Sequence, residues 1–287
     1  LVVHRNRVVI SGATGFVGKN TGRFLARNGF DVVALARKGR TDFGKTLKTQ
    51  DLTEKNLVRH LKGSTAFLHL IGTGRQTAEN DYETVNVNLT KNAVALCKRA
   101  GIGKIVYLSG LGVNKKSTLG YFISKFKAEQ EIIHSGLDYT IFRPSYIIGR
   151  GDQLSRTLSS QIYHHGVVVI PGSGKYRLQP IFVYDVAQVI MKAISGRQFS
   201  RKIIDLVGLQ TVTYNRFVRD LVGKAKIKHV DFEKSYHDAL VSASSPFGVD
   251  DLSILVGNYV GNHRKLASLS RIAFTGYDKM LEACSLS

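Results

Sequence analysis

Three glycines at a fixed spacing, Gly12, Gly15 and Gly18, stand between an apolar β-branched run, Val8-Val9-Ile10, and a helical stretch. Val17, Thr21, Phe24 and Leu25 recur at the spacing of one helix face, so a helix is expected to open at the last glycine. A buried strand, a glycine turn and a helix in that order make a cradle for phosphates. Gly12 permits the tight turn, Gly15 lets a pyrophosphate reach the backbone, and Gly18 lets helix and strand pack closely. The helix start adds free N–H donors and the positive end of its dipole. The stretch therefore predicts a dinucleotide site near the start of the chain.

The rest of the chain is long enough to build a sheet around that unit. It has 287 residues, of which 43% are hydrophobic, as in a folded protein. No apolar run approaches the roughly 18 residues of a membrane span. Cys97 and Cys284 are far apart and make neither a disulfide framework nor a metal site. They fit a reducing intracellular compartment: the cytoplasm, or an organelle matrix if a targeting segment preceded Leu1. The net charge is +20, with 24 basic against 10 acidic residues up to residue 150 and 17 against 11 after it. Such an excess suits steering of a polyanionic cofactor or substrate, docking on an anionic membrane or acidic partner, or a diffuse solubilising surface. No basic cluster is interleaved with aromatics, which argues against nucleic acid.

Residues 31–36 read as a second strand followed by Arg37 and Lys38, with Arg40 close by. An acidic residue at this place would hold the ribose hydroxyls of NAD; two cations suit the 2′-phosphate of NADP. NADP(H) is therefore the expected cofactor, in preference to NAD(H). Asp51 and Leu52 end a short third strand where the adenine would lie, and Asp51 equally suits a helix cap. Residues 66–71 form a fourth strand. Ile71, Gly72 and Thr73 at its end let the backbone come close to the cofactor. His69 inside it reads as a packing residue, and the polar loop 75–81 is placed to border a substrate. A helix is expected over 82–100, in which Asn86 is a polar exception suited to tying it to a neighbouring strand.

A fifth strand over 104–109 ends at Ser109 and is followed by Gly110. Tyr121 and Lys125 then open a helix, four apart and on one face. A lysine ammonium beside a phenol is expected to lower its pKa, so that the phenolate exchanges a proton with a carbonyl or hydroxyl. A sixth strand over 137–142 leads into Arg143-Pro144-Ser145. The alternation of strands and helices predicts a doubly wound parallel sheet of Rossmann type. A smaller C-terminal α/β substrate lobe follows. The division is 1–150 for the nucleotide-binding domain, with 179–207 returning to the sheet, and 151–178 with 208–287 for the second lobe. A strand is expected over 179–183, and a helical tail over 252–281 with a basic amphipathic character. That tail either covers the substrate lobe or lies on a membrane or partner.

Gly12-Ala13-Thr14-Gly15-Phe16-Val17-Gly18, Tyr121 with Lys125, Arg143-Pro144-Ser145 with Gly149, and residues 179–187 together resemble the short-chain dehydrogenase/reductase superfamily. The resemblance spans nearly the whole chain and is to the extended or atypical branch. It is most similar to the group of the nucleotide-binding accessory subunit of respiratory complex I and its prokaryotic relatives, members of which carry the NAD-dependent epimerase/dehydratase label. The resemblance implies Tyr121 as acid/base, and Lys125 as its electrostatic partner and a ribose ligand. It implies Thr14, Phe16 and Val17 as phosphate-loop contacts, with Pro144 and Ile147 beside the nicotinamide. It also implies a Ser or Thr after the fifth strand that holds the reacting oxygen. Gly110 stands at that place, and Ser109 one residue earlier is the candidate.

Two functions follow as expectations. One is an NADP(H)-dependent oxidoreductase acting on a small carbonyl, alcohol or sugar-nucleotide-like substrate. The other is a non-catalytic dinucleotide-binding protein that docks on a membrane complex or an anionic membrane.

Overall fold

The computed structural model describes residues 6–77, 80–242, 245 and 247–284. The glycine turn is framed as expected by β1 (Arg7–Ser11) and α1 (Phe16–Arg27). Five more strands alternate with helices: β2 (Asp31–Ala36), β3 (Lys45–Lys48), α2 (Lys55–Leu61), β4 (Ala66–His69), α3 (Leu89–Ala100), β5 (Lys104–Leu108), α4 (Gly120–Ile133) and β6 (Asp138–Pro144). The helix that the sequence suggests from residue 82 begins with a wider, π-type stretch, Glu83–Asn88, before α3.

The second part of the chain follows with β7 (Ile147–Ile148), α5 (Gln153–His165), β8 (Val167–Pro171), β9 (Arg177–Leu178), β10 (Ile181–Phe182) and α6 (Val183–Ser195). After these come β11 (Lys202–Leu206), β12 (Val212–Thr213), α7 (Tyr214–Val222), β13 (Lys226–Val230), α8 (Phe232–Val241), α9 (Val249–Leu255), α10 (His263–Ser270) and α11 (Tyr277–Glu282).

The main sheet has seven strands in the order β11-β6-β5-β4-β1-β2-β3, and every pairing in it is parallel. This is a Rossmann-type sheet with one strand added beyond β6. Its strand order reverses between β1 and β4, where open α/β sheets leave a crevice at the carboxyl ends of the strands. Side chains alternate across it. Val8 and Ile10 face a core closed by α1, α6 and α10, while Val9, Phe67 and Tyr107 face one closed by α2, α3 and α4. Burial on both faces explains why these strands read as continuous apolar runs.

Beside the main sheet lie three two-stranded ladders, β7 with β10, β9 with β12 and β8 with β13, and a further core that includes Leu158, Tyr214 and Phe217. The strand expected over 179–183 shrinks to β10, because α6 already begins at Val183. The tail breaks into α9, α10 and α11. Its apolar residues point inward: Leu252, Leu255, Tyr259 and Leu266 are all buried. Most of the apolar stripe thus packs on the protein itself, although Val260 is exposed, and the membrane-lying alternative for this segment loses most of its apolar face. None of the helices among the described residues is long and apolar enough to cross a membrane.

Candidate active site

The phosphate turn is shaped by backbone contact. Gly12 has φ +73°, and a Cβ there would lie 2.8 Å from the Leu70 carbonyl carbon. A Cβ on Gly18 would lie 2.2 Å from the Gly12 oxygen, so any side chain would force α1 off β1. Thr14 and Gly15 are exposed at the tip, and Phe16 and Val17 start the helix. Gly15 is the N-cap, no side chain caps this end, and its first turn carries no acidic residue. An uncapped helix start with close glycines fits a dinucleotide pyrophosphate.

Arg37 and Lys38 follow β2 and are exposed, with no ion pair or hydrogen bond to any described residue. Asp51 is less free than the sequence suggests. Its Oδ1 accepts from the Thr53 amide at 3.0 Å and the Thr53 hydroxyl at 2.7 Å, which hold its carboxyl below the usual carboxylate range. It does not cap α2, whose N-cap position is Glu54. Leu52 sits at φ 73° with its side chain in the core, which leaves only its backbone for an adenine.

A cleft of about 830 Å³ opens at the carboxyl ends of β4, β5 and β6 and runs under the second lobe. Gly72, Thr73, Tyr121, Pro144 and Ile147 line its sheet end, so the structure gathers five residues singled out in the sequence around one space. Ile71 instead packs partly buried against the core beside α3 and α4. Asn86 aligns the floor: it accepts from the Thr73 amide at 2.9 Å and donates to the Thr73 carbonyl at 3.1 Å and to Ser124 Oγ at 2.9 Å. It therefore ties the loop after β4, rather than a strand, to α4.

Lys125 lies behind Gly72, where a Cβ would come within 2.7 Å of its Nζ. Its ammonium donates to Tyr107 Oη and to the Leu108 carbonyl, each at 3.2 Å. Burial pulls its pKa down to about 8. Burial pushes the Tyr121 phenol up to about 12, opposite to the lowering expected from a neighbouring lysine. Desolvation outweighs the ammonium because the charge of Lys125 is directed at Tyr107 and Leu108.

Ser109 does not take the expected role. It is buried, its hydroxyl has no partner among the described residues, and it does not line the cleft. Gly110 does line it, and a Cβ there would lie 2.9 Å from Tyr121 Oη. A serine at 110 would thus crowd the phenol it is expected to assist. Residues the sequence did not reveal complete the wall: Tyr146, Tyr214, Asp251 and Tyr259. They come from four separate segments, and no periodicity marks them; only the adjacency of Tyr146 to Pro144-Ser145 was a usable signal. Arg75, from the loop expected to border a substrate, does line the cleft and pairs with Asp251 of α9.

A Rossmann-type sheet, an uncapped glycine-rich helix start and a cleft at the strand ends define a dinucleotide-binding α/β protein. The family model for the NAD dependent epimerase/dehydratase family matches residues 8–204, and the chain belongs to that family. It is 28% identical over 197 residues to mouse (Mus musculus) NADH dehydrogenase (ubiquinone) 1 alpha subcomplex subunit 9, mitochondrial, covering 64% of this chain and 52% of that protein. It is 30% identical over 154 residues to the ceramide reductase of Caulobacter vibrioides, covering 52% of this chain and 48% of that one. The chain thus spans about half the length of these curated relatives. The solved structure of MoeE5 with UDP-glucuronic acid and NAD superposes with a TM-score of 0.76 at 21% identity over 97% of each chain, a likeness of fold.

Proposed function

We propose that this protein is an NADP(H)-binding oxidoreductase that reduces a carbonyl, or oxidises the corresponding alcohol, with Tyr121 as the proton-transferring group. The observation that carries the reading is the Tyr121 phenol on the cleft wall at the strand ends, with the buried Lys125 behind Gly72. A phenol kept protonated by burial is a proton donor, which suits carbonyl reduction. When bound there, a reduced nicotinamide would supply a hydride to the carbonyl carbon. Tyr121 gives its proton to the oxygen, so the carbonyl becomes an alcohol. Lys125, behind Gly72, would reach a bound ribose. Gly12, Gly15 and Gly18 hold the pyrophosphate, and Arg37 and Lys38 take the 2′-phosphate. The name of the Caulobacter relative, a reductase, supports the reaction class.

A second reading has its own support. Gly110 stands against the Tyr121 hydroxyl where a serine or threonine donor is expected, and the mouse relative is named as a respiratory-complex subunit. On this reading the bound dinucleotide stabilises a protein that docks on a membrane complex. The mitochondrial name of that relative supports an organelle matrix as the compartment for either reading.

The test of the first reading is a titration of nucleotide-stripped protein with NADPH and NADH at matched ionic strength. NADPH binds more tightly, and Arg37→Asp removes the difference. Equal affinity for both in the parent protein would remove Arg37 and Lys38 from the site.

A further inference from the structure

The charges on the cleft wall are the reverse of what the whole chain suggests. The chain carries +20, yet among the described residues that line the cleft only Arg75 is a cation, against the carboxylates of Asp152 and Asp251. Arg75 is already paired with Asp251. Among the described residues of the cleft no unpaired cation is left to neutralise a diphosphate.

Helix starts are the other means of holding phosphate, and those of α5, α7 and α9 reach this space, as does that of α4, which carries Tyr121 and Phe122 and has no side-chain cap. Helices α5 and α7 are capped by side chains of this chain, and α9 carries two carboxylates in its first turn. At α5, the buried Asp152 carboxylate accepts from the Gly149 amide at 3.2 Å, the Ser155 amide at 2.8 Å and the Ser155 hydroxyl at 2.7 Å. At α9, Asp251 accepts from the Gly248 amide at 2.9 Å. At α7, Thr213 accepts from the Arg216 amide, and the Tyr214 and Asn215 amides go to the Tyr176 and Gly174 carbonyls. A diphosphate entering here would meet two carboxylates and no unpaired cation among the described residues, which leaves its charge uncompensated.

The wall is otherwise apolar and aromatic, with Leu111, Phe122, Leu154, Phe247, Ile254 and Leu255. One polar group in it is unspent. Tyr214 is fully buried and lines the cleft, and its hydroxyl has no hydrogen-bond partner among the described residues. An apolar pocket with a few polar groups selects a ligand of matching pattern.

We infer that the substrate of this cleft is an uncharged carbonyl compound or alcohol with a long apolar body, and not a nucleoside-diphosphate sugar. This rests on the proposed oxidoreductase reading. The reacting oxygen lies at Tyr121, the chain runs along Leu154 and Leu255, and Tyr214 receives a second oxygen where the molecule carries one.

The test is calorimetric binding of the full chain, with NADPH present, to methyl ketones of rising length and to UDP-glucose. The expected result is silence with UDP-glucose, and a dissociation constant that tightens at least about tenfold from 2-heptanone to 2-undecanone. Leu154→Lys, or Thr157→Lys should that variant fail to fold, weakens 2-undecanone at least about fivefold. UDP-glucose binding as tight as the ketone, no ketone binding, or indifference of ketone binding to both lysine variants would each overturn the inference. Ketone that binds and is never reduced by NADPH would overturn the oxidoreductase reading and leave this specificity standing.

Discussion

Beneath Lys125 lies a buried chain of polar side chains whose protons can be assigned. Thr90 spends its one hydroxyl proton on the Asn86 carbonyl at 2.7 Å, so it accepts from His69 Nε2 at 3.1 Å. His69 Nδ1 then accepts from Ser11 at 2.7 Å. The ring is neutral, as the sequence reading of a packing histidine requires, and burial pushes its pKa down to about 3. In the unfolded chain it titrates near 6.5. Between those values the unfolded state binds the extra proton, so stability falls as pH drops, by up to about 1.4 kcal/mol per pH unit. Urea denaturation at pH 7 and pH 5 therefore shows His69→Gln losing about 1–2 kcal/mol less than the parent over that interval. Tyr121 is tested by turnover. Tyr121→Phe lowers the reduction rate by roughly 10²–10⁴, as expected for loss of a positioned general acid, and leaves NADPH affinity nearly unchanged. An unaltered rate would take the phenol out of the mechanism.

Helix α4 carries Tyr121 on its first turn and Glu129 two turns on, and Glu129 fixes the helix to the sheet. Its carboxylate has no exposed surface and takes a two-pronged pair from Arg143 of β6, at 2.9 Å and 2.6 Å. The same strand ends at Pro144, on the cleft wall. The pair thus ties the helix that carries the phenol to the strand that ends at the cleft. Arg143→Ala leaves a buried carboxylate unpaired and costs about 3–5 kcal/mol in chemical denaturation. Arg143→Lys recovers only part of that, because an ammonium cannot make both parallel bonds. The glycine turn is a second device of this scale: the missing side chain at Gly18, where a Cβ would lie 2.2 Å from the Gly12 oxygen, is what allows α1 to aim its start at the strand ends.

For the molecule as a whole, charge and site are separated. The +20 sits mainly in residues 1–150, whereas the cleft has one cation among the described residues that line it, already paired. On the proposed reading the outer charge draws in the phosphorylated cofactor while the cleft disfavours further anions. Screening reaches about 10 Å at 0.1 M salt. Raising salt from about 20 mM to about 300 mM therefore weakens NADPH more than NADH, and the excess disappears in Arg37→Asp. Identical salt dependence for the two nucleotides would mean that the extra phosphate does not reach Arg37.

The sequence by itself determined the sheet and its glycine turn. Parallel strands buried on both faces must read as short apolar runs, and a helix start that leaves no room for a Cβ beside the Gly12 carbonyl must carry Gly18. It also placed Tyr121 and Lys125 on one helix, because four residues span one turn. Only the tertiary structure decided the rest. It turned the Lys125 ammonium toward Tyr107, left Ser109 off the cleft wall, and folded the apolar stripe of the tail inward. It gathered Arg75, Tyr146, Tyr214 and Asp251 around one space. Local periodicity records which face of an element is buried. It carries no record of which distant loop the burial brings opposite, and that depends on the register and packing of the finished sheet.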